Sequence, residues 1–187
     1  MPRGSCPLPW VVHFGVGACH DALEKSSFCV LLCFQSADSD KVLASFDYVV
    51  ASVHSSFKMT EEEMTKRILK ALKNKYVTMI GHLTGRLLLQ REGYPVNQTT
   101  IINTASEHGK IIEINAHPSR LDLDWRQVKY AITKGVKISI NPDAHTISGL
   151  SDVRYGINIA RKGWCEKKDV LNTLNCKGIE KYLKVKK

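Results

Sequence analysis

Residues 110–145 read KIIEINAHPSRLDLDWRQVKYAITKGVKISINPDAH, and this stretch decides the fold. A β-branched apolar run from Ile111 to Ile114 ends on the polar residues Asn115 and His117. Asp124 then stands where it can cap a helix, and Gly135 stands where it can end one. A second apolar run, VKISI, follows and ends on Asn141, Asp143 and His145. Strand, helix and second strand in that order make a parallel β/α unit.

The same grammar is written upstream. FDYVVASVH ends at His54 and is followed by Thr60 with Glu63 three residues on, a capping box, after which Met64, Ile68 and Leu72 share one helical face. YVTMIGH ends at His82, and a polar loop leads to a helix holding Ile101, Ile102 and Ala105, with Gly109 placed to stop it. After the last strand, the segment 151–162 closes with Gly163. The reading is therefore α/β. In such folds the loops that follow the strands gather at one end of the sheet or barrel, so side chains far apart in sequence converge there.

By this placement His54, His82, Asn115, Asp143 and His145 share that end. A single histidine after a strand is usually a hydrogen-bonded loop or core residue. Three imidazoles and a carboxylate together are also ligand types suited to zinc, manganese or iron, ions that can activate water and offset charge on a phosphoryl oxygen. Spacing alone leaves the structural and the phosphoesterase readings both open. Arg86 could clamp a phosphate or be solvated. Glu113 and Asp122 are plausible helpers, although Glu113, inside a strand, could equally make a buried ion pair. Trp10, Trp125 and Trp164 are not interleaved with basic residues as a stacking platform would be, and packing in or under the core is expected of them.

Composition bounds the rest. The 187 residues, 43% hydrophobic and 24% charged, are those of one soluble globular domain. No apolar run reaches the roughly 18–20 residues that cross a bilayer. The net charge is +9, and residues 1–46 hold Arg3, Lys25 and Lys41 against Asp21, Glu24, Asp38 and Asp40, so the surplus lies wholly downstream. An anionic partner such as DNA is one use for it, solubility another. Cys6, Cys19, Cys29 and Cys33 fall in the same opening segment, with only Cys165 and Cys176 beyond it. None is spaced as a zinc CxxC pair, and reduced thiols in the cytoplasm are the expectation. His13 and two prolines interrupt the apolar run between Pro7 and Ala18, which argues against a signal peptide.

The motifs ASVHSSF, GHLTGRLLLQREGY, EINAHPSRLDLDW, INPDAH and VRYGINIARKGW closely resemble the PHP (polymerase and histidinol phosphatase) family, nearest to the C-terminal PHP domain of bacterial family X DNA polymerases. The resemblance covers residues 46–187. It implies a distorted, TIM-like β/α barrel with a cluster of Mn2+ or Zn2+ ions, and a 3'-5' exonuclease that processes DNA ends in base excision repair. Carried over by motif, His54, His82, Asp143 and His145 would be metal ligands. Asp143 and His145 would also be catalytic, with Arg86 and Asn115 facing the substrate. The family's HxH motif, two further histidines and a bridging glutamate have no counterpart in residues 1–46, and His117 stands where the polymerase branch usually has Asn. The expectation is therefore an incomplete barrel. Residues 1–45 would lie outside the family match and be poorly ordered, and the rest would be the C-terminal part of a truncated PHP domain. The rivals are a small-molecule phosphatase of the histidinol phosphatase type and a catalytically inactive remnant that binds DNA or protein.

Overall fold

The computed structural model describes residues 30–33, 40–44 and 46–184. Within them β1 (Val30–Cys33), β2 (Val49–Ser52), β3 (Met79–Ile80), β4 (Ile111–Asn115) and β5 (Ile138–Asn141) form one sheet in the order β1-β2-β3-β4-β5, every pairing parallel. Helix α1 (Asp40–Leu43) joins the first two strands, and α2 (Glu61–Leu72), α3 (Gln98–Glu107) and α4 (Trp125–Thr133) are the later crossovers. Two more helices, α5 (Val153–Lys162) and α6 (Cys176–Lys184), follow the last strand. The strand order never reverses. Because parallel crossovers are right-handed, an unreversed order keeps the connecting helices on one face, as in a barrel wall; a doubly wound sheet needs a reversal. The α/β class is thus what the chain forms, and its parallel sheet is compatible with an incomplete, distorted barrel. Of the segment 1–45, only Val30–Cys33 and residues 40–44 are among the described residues, so the expectation of poor order there falls outside them.

Side chains alternate across the strands, and the two faces have different chemistry. Val49, Ala51, Ile80, Ile112, Ile114, Ile138 and Ile140 pack against Met64, Ile68, Leu72, Ile101, Ile102, Ala105, Val128 and Ala131 of the helices in the main core. On the opposite face, Val50, Met79 and Ile111 lie in register and form a small apolar layer covered by Tyr48, Leu171 and Tyr182. One step further along the same face come Ser52, Gly81, Glu113 and Ser139, and beyond them Asn115 beside Asn141. The inner face therefore turns from apolar to polar toward the C-terminal ends of the strands. That gradient places the site.

The expected helix signals hold in detail. Thr60 and Glu63 cap α2 reciprocally, and the Asp124 carboxylate accepts from the Arg126 amide at the start of α4. Asn97, which the sequence reading passed over, caps α3 by accepting from the Thr100 amide. Gly109 and Gly135 adopt φ of 59° and 75° just past α3 and α4. After α5 the left-handed residue is Trp164, with φ of 66°, while Gly163 has φ of −79°. Gly163 is required by space instead: a Cβ there would stand 2.7 Å from Val128 Cγ1. This turn corrects the expectation that every tryptophan packs inward, because Trp164 is 70% exposed, with Lys129 Nζ 3.8 Å from its ring centroid. Among the cysteines, Cys165 is a free thiol and Cys176 is disulfide-bonded, which the reduced-thiol expectation did not foresee.

The open edge of β5 is not left bare. Asn172 accepts from the Ile140 amide at 2.8 Å and donates to its carbonyl at 3.0 Å, and Val170 bridges Ile138 in parallel. Satisfying an edge strand in this way removes a template for strand addition. Among the described residues no helix is long and apolar enough to cross a membrane.

Candidate functional site

The end of β3 is built around a space. Gly81 carries no side chain, and a Cβ there would meet Ser52 Oγ at 2.6 Å and Glu113 Oε2 at 3.3 Å. The buried Glu113 carboxylate uses that room to accept from the His82 amide at 2.7 Å through Oε2 and from Asn141 Nδ2 at 2.8 Å through Oε1. His82 is thereby held with φ of 28°, a region that non-glycine residues seldom occupy and that is typical of functional sites. Its imidazole is 3% exposed, yet neither Nδ1 nor Nε2 has a hydrogen-bond partner. Burial, then the Arg120 guanidinium and the His54 ring, lower its pKa to about 3, so the ring is neutral at pH 7. The exposed His54 ring, from just past β2, meets it edge to face with centroids 4.9 Å apart.

Asp143 sits past β5, also with positive φ, at 52°. Its Oδ2 accepts from Asn115 Nδ2 at 2.9 Å and from Arg120 Nε at 3.0 Å. Its carbonyl pairs with His145 Nδ1 at 2.7 Å. A carbonyl can only accept, so Nδ1 carries a proton and donates it to Asp143. The His145 side chain is exposed. Asp143 lies close enough to His82 to act on its charge, which places the ends of β3, β4 and β5 around one locus.

Arg86 and Asp122 tie the loops together beneath that locus. Arg86 donates through Nε to the Arg120 carbonyl at 2.8 Å and through a terminal nitrogen to the Leu121 carbonyl. The fully buried Asp122 accepts through Oδ2 from the Thr84 amide and hydroxyl at 2.8 and 2.9 Å and from the Gly85 amide at 3.1 Å, while its Oδ1 has no partner. Burial raises the pKa of this carboxyl despite those donors. Arg120 and Thr84 are the participants that sequence reasoning missed. Each lies in a loop without periodicity, and only the proximity of Arg120 to the Asn115 strand end could have drawn notice.

A divalent cation fits these donors in kind but not in number. His82 offers a buried, neutral, unpartnered imidazole beside a second ring, as a ligand pair would. Asp143 directs Oδ2 to Arg120 and Asn115, and among the described residues no group of three or more His, Cys, Asp and Glu is arranged to hold a metal.

No family model matches the chain. It is 45% identical over 145 residues to the DNA polymerase/3'-5' exonuclease PolX of Bacillus subtilis, a match spanning 78% of this chain and 25% of that protein. This similarity is consistent with a PHP domain. Other relatives are a probable phosphatase of a Thermoanaerobacter species, 31% identical over 155 residues, and one of Clostridium acetobutylicum, 27% identical over 158 residues. The chain spans 60% and 61% of the lengths of these two, and a similar share of itself, 78% and 79%, is matched in each.

Proposed function

We propose that the chain is a metal-dependent phosphoesterase acting on DNA ends as a 3'-5' exonuclease, in the cytoplasm. The buried His82 imidazole carries this reading, neutral and unpartnered at the polar end of the sheet and paired with His54. His54 and His82, joined by Asp143 and His145, would hold Mn2+ or Zn2+, and such an ion, when bound, polarises water and the phosphoryl oxygen. The chain's own residues supply the rest. Glu113 fixes the His82 backbone, and Asn115 orients the Asp143 carboxylate. Nδ1 of His145 is engaged by the Asp143 carbonyl, so Nε2 would be its nitrogen toward the ion, and Asp143 and His145 would be catalytic by holding that ion against the ester. Arg86, with Asn115, serves substrate binding by holding the loop that carries Arg120. The excess of basic residues downstream of residue 46 would follow a DNA backbone.

The test is release of nucleotides from a 3'-recessed labelled duplex with Mn2+. The native chain should degrade the duplex and Asp143→Ala should not; activity untouched by that substitution, or none in the native chain with Mn2+ or Zn2+, sinks the reading. A second reading, a small-molecule phosphatase, is favoured by the relatives named as probable phosphatases. Inhibition of phosphomonoester hydrolysis by DNA, falling steeply with salt, separates the two. A third, an inactive remnant that binds DNA or protein, draws on the lack of a described three-donor group. It calls for a chain that purifies without tightly held metal.

A further inference from the structure

We propose that Arg120 is the phosphoryl-binding guanidinium of this site, an inference that rests on reading the site as a phosphoesterase. The residue stands in the loop after β4, and that loop is pinned from three sides. Its own carbonyl accepts from Arg86 Nε, its amide donates to the His117 carbonyl at 2.8 Å, and the preceding Ser119 carbonyl accepts from the Leu88 amide at 2.6 Å. The side chain is fixed along one edge. Nε donates to Asp143 Oδ2 at 3.0 Å, and Nη1 makes a long contact of 3.5 Å with the Arg86 carbonyl. The remaining nitrogen, Nη2, donates to no atom of the described residues and is not among the buried unpartnered atoms, and 18% of the side chain is exposed.

A guanidinium held this way keeps its outward N–H groups in a set direction, so little conformational freedom is lost when an anion accepts them. The geometry also separates the two arginines. Arg86 directs nitrogens to backbone carbonyls and shapes the loop, whereas Arg120 faces the carboxylate of Asp143 and acts electrostatically on His82. Asp143 offsets part of the Arg120 charge, so a free phosphoryl anion should bind weakly, on the order of millimolar, and a bound ester should be aligned more than it is attracted.

The experiment reads binding, not turnover. Inorganic phosphate is titrated into the full chain and followed by 31P NMR, with the native protein, Arg120→Gln, Arg120→Lys and the surface control Lys129→Gln. The expected result is roughly a tenfold weakening in Arg120→Gln, an intermediate loss in Arg120→Lys, which keeps the charge but not the fork, and no change in the control. Should Arg120→Gln fail to fold, the lysine variant decides alone. Equal phosphate affinity in native and Arg120 variants, or no binding by the native chain well above millimolar phosphate, overturns the inference. Phosphate binding that depends on Arg120 in a chain without phosphoester turnover would leave it standing and remove the proposed function.

Discussion

Gly81 and Glu113 share a space that admits only one side chain: a Cβ on Gly81 would come within 3.3 Å of Glu113 Oε2, the oxygen that accepts from the His82 amide. The tighter collision is with Ser52 Oγ, at 2.6 Å. Gly81→Ala should therefore destabilise the chain by about 1–3 kcal/mol, as overpacked sites do. Adding Ser52→Ala removes the worst contact and should recover most of that loss. Urea denaturation of the three proteins checks this; a Gly81→Ala chain as stable as the native one would show that the space is not limiting.

Asp122 gives the fold a pH dependence of defined sign. Its folded pKa is raised by burial above the ordinary carboxyl value, so the folded state binds the proton more tightly than the unfolded chain does. Stability from this group is fully present below about pH 4, the unfolded value, and declines as pH rises through the raised one, by at most about 1.4 kcal/mol per pH unit. Asp122→Asn keeps an oxygen for the Thr84 and Gly85 donors and removes the charge. Its stability relative to the native chain should rise from pH 4 upward; parallel urea-unfolding profiles across pH 4–8 would refute the assignment.

Much of this was legible because it is periodic or local. Met64, Ile68 and Leu72 announce the buried face of α2, and Thr60 with Glu63 announces its start, in four residues of sequence. The convergence of His54 and His82 follows from strand parity and parallel connection alone. What sequence could not give is set by tertiary approach. Gly163 caps the end of α5 as its sequence suggests, but close contact is what requires a glycine there, and Trp164 takes the left-handed turn. Arg86 and Arg120 look alike in sequence, and only the loop geometry assigns one to carbonyls and the other to a carboxylate.

Trp164 marks a correctable strain. A non-glycine residue in the left-handed region costs about 1–2 kcal/mol, and this one is largely exposed, its recorded ring contact a cation–π approach by Lys129. Trp164→Gly should therefore stabilise the chain by about 0.5–1 kcal/mol net of glycine's own entropy. The midpoint of thermal unfolding reports it. A fall in that midpoint would mean that the indole makes contacts worth more than the backbone strain.

His54 separates ligand function from folding. Its side chain is exposed, so His54→Ala should change stability by no more than about 0.5 kcal/mol, the range of ordinary surface substitutions. If His54 and His82 share an ion, the same substitution removes one of two adjacent donors and should lower manganese or zinc retained after purification by roughly tenfold or more. Phosphoester hydrolysis should fall in parallel, and a chelator should abolish it in the native chain until Mn2+ is restored. His82→Ala should lose metal equally but also leave a cavity beneath the loop, so its stability should drop further than that of His54→Ala. Elemental analysis beside urea denaturation tests both halves at once. Equal metal content in the native chain and His54→Ala would mean that the edge-to-face histidine pair is a packing contact and that any bound ion is held elsewhere.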